Sequence, residues 1–383
     1  MTFDFATAGR ILFGPGRIGE APSAARQMGS RALLVHGCSS EQAAALAREL
    51  EAAGVSCLSH AVCGEPTVDA ARQVSALACA ERCDLIVAFG GGSAIDLGKA
   101  VAALAANGGD PLDYLEVVGA GRPLAKPSLP CIAIPTTAGT GAEVTRNAVL
   151  ASPEHKVKAS LRSPYMLPRL AIVDPDATLS LPPAVTASTG LDALTQLIEP
   201  YVSSRANVLT DLFAVEGMRQ AAACLRRAYQ DGSDREARCG MAFASLLGGL
   251  CLANSGLGAV HGFAAPIGGM FDAPHGAVCA ALLPYVMEAN IQAAHQRGAA
   301  EVIRRYAQVA CLLTGNSDSA PEDGVAWVHE TCTLLNIPRL GEWGLTAAHV
   351  PEVAAKASQA SSMKGNPLPL SNAELMGILE AAL

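Results

Sequence analysis

No block of Lys or Arg stands out in this 383-residue chain, and its net charge is −8. A surface that tracks phosphates is therefore excluded, and with it a nucleic-acid binder. No uncharged run reaches the ~20 uniformly apolar residues that a membrane span needs, so no membrane partner is expected. Mean hydropathy is nevertheless +0.29 and half of the residues are hydrophobic, which an Ala-rich buried core accounts for. The opening MTFDFATAGRILFGPG has no basic start followed by an apolar run, so no secretory leader is visible and a cytoplasmic location is expected. The 12 cysteines include no CxxC pair. Their scatter reads as isolated thiols in a reducing compartment, not as a disulfide framework.

The length suits two domains. In the first half, short apolar runs alternate with Ala-rich helical patterns. Strands are expected at 31–36, 54–58, 84–89, 130–134 and 170–173, and helices at 41–53 and 68–81. Near-continuous apolar strands separated by helices predict a parallel sheet covered on both faces. After the Leu181-Pro182-Pro183 break, helical periodicity takes over, for example over 206–229 and 237–252. The reading is an α/β domain over 1–182 and an all-helical domain over 183–383, with small molecules expected in a cleft between them. Residues 6–13 read as a further strand.

The usual GxGxxG fingerprint is absent. In its place, Gly90-Gly91-Gly92-Ser93 follows the strand at 84–89 and opens a helix that Ser93 is expected to cap. Glycines let backbone amides approach a phosphate, and a helix N-terminus adds a favourable dipole. A second loop, Pro135 to Val144, is dense in small and hydroxyl residues and also follows a strand. Should the two strands be neighbours, the pair of loops predicts a dinucleotide at the carboxyl edge of the sheet.

In the helical half, Asp192 and Gln196 share one helix face. Two histidines follow, His261 and His275. Imidazoles with a carboxylate suit a divalent metal, Fe(II) and Zn(II) alike. The alternative reading has the histidines satisfied in the core, with Asp192 and Glu199 capping or bracing helices.

Four segments, GGGSAIDLGKA, PTTAGTGAEVT, GLDALTQLIE and HGFAAPIGGMFDAPHG, resemble in order and spacing the signatures of the iron-containing (group III) alcohol dehydrogenases. The resemblance implies a Rossmann-like domain with a helical metal-binding domain, the dehydroquinate synthase-like fold. It further implies NAD(P)-dependent hydride transfer between a nicotinamide and a small alcohol or carbonyl, and a homodimer in which the first strand pairs across the interface. Gly90, Gly91, Gly92, Ser93 and Asp96 would hold the pyrophosphate and nicotinamide side. Thr136, Thr137 and Thr140 would line the nucleotide, with Leu179 near the adenine. Asp192, Gln196, His261 and His275 would carry Fe(II) or Zn(II).

Three positions depart from the family pattern. Gln196 stands where the family has His, and an amide oxygen is the weaker ligand. Ala265 replaces a His that serves proton transfer, which leaves a ribose hydroxyl and water for the proton. Gly37 replaces the Asp that ends the equivalent strand and favours NAD, so NADP(H) becomes an option. Two other readings stay open. A maleylacetate reductase would call on Arg146, Lys158 and Arg162 for two carboxylates, although Lys158 and Arg162 read first as solvated surface charges. A catalytically silent nucleotide-binding protein would need only the intact loops. Glycerol dehydrogenase and dehydroquinate synthase fit the histidine segment less well.

Overall fold

The computed structural model describes residues 2–38 and 40–383. Among these described residues, eight strands run in chain order as β1 (Ile11–Phe13), β2 (Arg31–Gly37), β3 (Ser56–Val62), β4 (Leu85–Gly90), β5 (Cys131–Pro135), β6 (Asn147–Ser152), β7 (Val157–Arg162) and β8 (Leu170–Val173). Six of them form one sheet in the order β1-β8-β5-β4-β2-β3, with every pairing parallel. The remaining two form a separate antiparallel hairpin, which the sequence reading did not anticipate.

The described helices among these strands are α1 (Ala21–Met28), α2 (Ser40–Ala52), α3 (Val68–Ala80), α4 (Gly92–Asn107) and the short α5 (Pro111–Tyr114). Successive strand residues point to opposite faces. On one face Leu33, Val35, Ile86, Ala88 and Ala133 pack with α3 and α4. On the other, Leu34, Val87, Phe89, Ile132 and Ile134 pack with α1 and α2. Burial on both faces is why these strands read as unbroken apolar runs.

From Pro183 onward the described elements are helical. They are α6 (Pro183–Val202), α7 (Val208–Gln230), α8 (Arg235–Ser255), α9 (Ala259–Met270), α10 (His275–Arg297), α11 (Ala300–Thr314), α12 (Pro321–Leu334), α13 (Val350–Gln359) and α14 (Asn372–Ala382), with short 3-10 turns between. Helices α8 and α10 are long and apolar enough to cross a membrane, yet 72% and 78% of their most apolar windows are buried within the protein. They are core helices.

Contacts divide the chain into two units. One comprises Ala6–Thr137 and Gly141–Thr178, the other residues 2–5, Ala138–Thr140 and Leu179–Leu383. The main segment of the second unit thus begins at Leu179, a few residues before the Pro182-Pro183 pair. It also takes in Gly139, where a Cβ would lie 2.8 Å from the Cβ of Thr189.

Three local expectations are corrected. Ser93 does not cap α4: the N-cap is Gly91, whose extended backbone (φ −71°, ψ −176°) starts the helix earlier and leaves Ser93 inside its first turn, with no side-chain cap bond. The first strand is shorter than the expected 6–13: it is confined to Ile11–Phe13, where it pairs with β8, while Gly9 lies against the backbone of Arg169 and donates to Pro168 O. The cysteines are not all isolated thiols. Cys38 and Cys63, which follow β2 and β3, form a disulfide with their Cα atoms 5.6 Å apart. Parallel pairing over the full length of β2 and β3 brings their ends together.

Candidate metal and cofactor sites

In the α/β unit the order of strands reverses between β2 and β4. The chain runs outward from β2 to β3, returns to the other side of β2 as β4, then continues to β5. A reversal of this kind opens a crevice at the carboxyl ends of the two strands, where open parallel sheets hold their ligands. Gly37 ends β2 and Gly90 ends β4. Gly90 has φ +155°, and a Cβ there would lie 2.8 Å from the Ala94 Cβ and 2.9 Å from the Gly37 amide nitrogen. Only glycine lets the chain turn here from strand into helix.

Strands β4 and β5 are neighbours, in a register that places Gly90 opposite Pro135. Both glycine- and threonine-bearing loops therefore leave the sheet at one level. Thr136 donates its amide to Gly90 O at 2.9 Å, and a Cβ on Gly91 would sit 3.3 Å from Thr137. The amides of Gly92 and Ser93 open α4, where a helix offers no acceptor of its own. Lys99, fully buried, ties the two loops together by donating to Ala142 O at 2.8 Å and to Thr145 Oγ1 at 2.9 Å. Its ammonium also pairs with Asp96 at 3.1 Å. Asp96 is engaged a second time, accepting the Val149 amide at 3.0 Å. The Asp96 carboxylate thus joins α4 to β6. Thr140 and Leu179 fall in the helical unit, each half-buried.

In that helical unit, α6 carries Asp192, Gln196 and Glu199 along one buried face. His261 lies in the first turn of α9, and His275 is the first residue of α10. The two imidazoles have ring centroids 5.4 Å apart. Asp192 Oδ1 lies 3.5 Å from His261 Nε2 and 3.7 Å from His275 Nε2. One turn along α10 from His275, Cys279 adds its sulfur, 3.7 Å from His275 Nε2. Ligand atoms of Asp192, His261, His275 and Cys279 all lie within 4.8 Å of one another.

Glu199 does not join this cluster; it holds it. One carboxylate oxygen accepts the Val260 amide at 2.6 Å, and the other meets His261 Nδ1 at 2.6 Å. Asn366 accepts the neighbouring Ala259 amide at 3.2 Å. The open amides of α9 are satisfied by side chains, and the bond at Nδ1 leaves His261 Nε2 as the free nitrogen directed at Asp192. Of the two carboxylates, then, Glu199 is the helix cap.

These residues fit a divalent metal. Asp192 Oδ1, Gln196 Oε1 and His261 Nε2 are buried without a hydrogen-bond partner, although orphaned buried polar atoms are costly. The electrostatics agree. Burial works against charge on both imidazoles, yet Cys279 and Asp192 lift His275 to about 9. Cys279, Glu199 and Asp192 likewise raise His261 well above its ordinary value. Burial pushes the Asp192 carboxyl up, but His275, His261 and the Gln196 amide outweigh it and hold it below the usual Asp value. The cluster selects positive charge.

Ala265 lies one turn beyond His261 on α9, half-buried and without a titratable group. Lys158 is not a solvated surface charge. Its side chain is 7% exposed and pairs with Glu65 at 3.1 Å, on the face of β7 opposite the core residues Ala159 and Leu161. Arg162 pairs with Glu116 at 3.3 Å, so two of the three cations considered for a dicarboxylate are already engaged. Sequence reasoning missed Lys99 and Cys279. The i, i+4 spacing of His275 and Cys279 was the available signal for the second.

Family comparison agrees with this geometry. Residues 8–175 match the model for iron-containing alcohol dehydrogenase, and residues 186–383 match that for the C-terminal part of the Fe-containing alcohol dehydrogenase family. The chain is 38% identical over 300 residues to alcohol dehydrogenase 4 of Saccharomyces cerevisiae, covering 78% of this chain and 76% of that one. It is 39% identical over 325 residues to long-chain-alcohol dehydrogenase 1 of Geobacillus thermodenitrificans, covering 83% and 80%. A crystal structure of 1,3-propanediol oxidoreductase superposes with a TM-score of 0.92 at 33% identity, covering all of both chains. The chain belongs to the iron-containing alcohol dehydrogenase family, whose enzymes are oxidoreductases acting on CH–OH groups.

Proposed function

We propose that this enzyme interconverts a small alcohol and its aldehyde, ketone or oxoacid with NAD(P), assisted by a divalent metal in the helical unit. The observation that carries this reading is the trio of orphaned buried atoms, Asp192 Oδ1, Gln196 Oε1 and His261 Nε2, beside His275. When bound, the metal supplies Lewis-acid polarisation of the substrate oxygen and the nicotinamide gives or takes the hydride. Asp192 contributes a negative charge, and the imidazoles of His261 and His275 contribute neutral nitrogens once their protons have left. Glu199 fixes the tautomer of His261. The glycine amides of the first turn of α4, with Thr136 and Thr137, receive the pyrophosphate. Ala265 carries no titratable group, so with the dinucleotide bound a ribose hydroxyl and water would be left to take the alcohol proton.

Two finer points belong to the same reading. At the end of β2, Gly37 brings no carboxylate to repel a 2′-phosphate, which supports NADP(H) as a cofactor alongside NAD(H). As an edge strand, β1 pairs on its outer side with no other strand among the described residues, which supports a homodimer that sedimentation would test.

The test is NAD(P)H oxidation by anaerobically purified protein over a panel of carbonyls, with Fe(II), Zn(II) or a chelator added. Turnover that a chelator abolishes and one metal restores is expected. Turnover indifferent to chelator would move the chemistry to cofactor and protein groups alone. Cofactor binding without turnover on any carbonyl would leave a silent nucleotide-binding protein.

A further inference from the structure

The metal reading leaves one question of chemistry: which side chain completes a set that lacks the third histidine. Two groups compete. Gln196 Oε1 is buried and unpartnered, but it is a neutral amide oxygen, a poor donor for Fe(II) or Zn(II). Cys279 is fully buried and lies among the donors, with its ligand atom within 4.8 Å of those of Asp192, His261 and His275.

The position of Cys279 follows from the helix start. Pro274 is the N-cap of α10, so His275 occupies the first turn and Cys279 stands one turn further along the same face. Other cysteines are placed differently. Buried Cys251 donates to Thr210 O at 3.3 Å and half-buried Cys332 to Ala280 O at 3.5 Å, each a thiol satisfied by a backbone carbonyl. Cys279 instead faces an imidazole nitrogen and a carboxylate.

Building on the metal reading above, we propose that Cys279 is a metal ligand, its thiolate completing an Asp192–His261–His275–Cys279 donor set. Binding releases the thiol proton to solvent and forms a sulfur–metal bond. No electrons change hands. The thiolate adds a second negative charge to that of Asp192, so the set neutralises a divalent cation where an amide would leave a net charge. Sulfur also shifts the preference toward softer ions, with Zn(II) favoured over Fe(II). Gln196 then serves as a positioning group beside Asp192.

The test uses the full-length protein loaded with Co(II), read by absorption and by metal analysis. The wild type is expected to show a near-ultraviolet thiolate-to-cobalt charge-transfer band. Cys279→Ser should lose that band, and its Zn(II) affinity in a chelator competition should fall by at least roughly 10- to 100-fold, the loss typical when only an outer partner of a ligand is removed. Gln196→Ala and the remote control Cys251→Ser should keep the band. Circular dichroism and NADH binding show whether each variant is folded. A second substitution, Cys279→Ala, gives the same readout without a hydroxyl that could stand in as a ligand. A charge-transfer band that survives both Cys279 substitutions overturns the proposal. So does cobalt bound by the wild type without such a band, although the metal reading of the enzyme then stands. Failure of the wild type to bind Co(II) or Zn(II) overturns both.

Discussion

Glu199 grips the N-terminus of α9 at two adjacent points, the Val260 amide and His261 Nδ1, each at 2.6 Å. One side chain therefore caps a helix and aims a ligand. Replacement by Gln separates the two roles. The amide oxygen of Glu199→Gln can still accept from Val260, but the buried negative charge behind the imidazole is gone. Metal affinity is expected to fall about 10- to 100-fold with little change in melting temperature. Glu199→Ala also strands the helix amide and should lose a further 1–3 kcal/mol or so of stability. Chelator competition and thermal unfolding measured together separate these effects; equal metal affinity in Glu199→Gln would show that charge at this position does not matter.

Gly90→Ala tests the cofactor end in isolation. Its Cβ would meet Ala94 and the Gly37 amide below 3.0 Å, at a φ of +155°. Strain of this kind costs on the order of 1–3 kcal/mol, and relief requires β2 and β4 to part where the crevice opens. NADH affinity should drop sharply while Zn(II) binding by the helical unit is unchanged. Normal NADH affinity would mean that the glycine serves folding alone.

Much of this arrangement was legible from residue order. Unbroken apolar runs at β4, β5 and β8 identified a sheet buried on both faces, and the glycine and threonine loops marked its carboxyl edge. The histidine segment placed both imidazoles. Features that depend on distant partners were not legible. Lys99 reads as an ordinary helix cation, yet α4 packs it inward, where only Ala142 O, Thr145 and Asp96 make its burial tolerable. Cys279 gains meaning only once α10 is known to start at His275, which sets the face they share. The β6–β7 hairpin was hidden because its strands alternate buried and half-buried residues over a short span, a weaker signal than a fully buried strand. Gly91 displaced Ser93 as cap for a reason of backbone conformation that composition does not carry.

Glu143 sits in the second loop, almost fully buried. Burial pushes its carboxyl up from 4.5 to about 7, its own backbone amide and Lys99 compensating only in part. Because the folded value lies above the unfolded one, the folded state holds this proton longer. At low pH both states are protonated and nothing is lost. As pH rises from about 4.5 to about 7 the unfolded chain ionises first, so this group progressively destabilises the fold, by about 3 kcal/mol at the upper end. Glu143→Gln should remove that slope and melt higher than wild type at pH 8 but not at pH 4. Parallel melting curves for the two proteins across this range would place the carboxylate in a compensated environment.

Gly37→Asp asks what the end of β2 faces. A Cβ at this position would find the Gly90 Cα at 3.9 Å as its nearest neighbour, an ordinary contact, and the strand backbone there is not left-handed. The substitution should therefore fold. A carboxylate here accepts hydrogen bonds from ribose hydroxyls but repels a 2′-phosphate. At an effective dielectric of ~20, two unit charges ~4 Å apart repel by about 4 kcal/mol. Even with two thirds of that screened, about 1.4 kcal/mol, or tenfold, remains. The ratio of kcat/KM for NADPH to that for NADH should drop by at least about tenfold in Gly37→Asp, with metal content unchanged. An unchanged ratio would mean that the adenosine ribose does not lie against the end of β2, and the lack of a carboxylate at Gly37 would then say nothing about which cofactor is used.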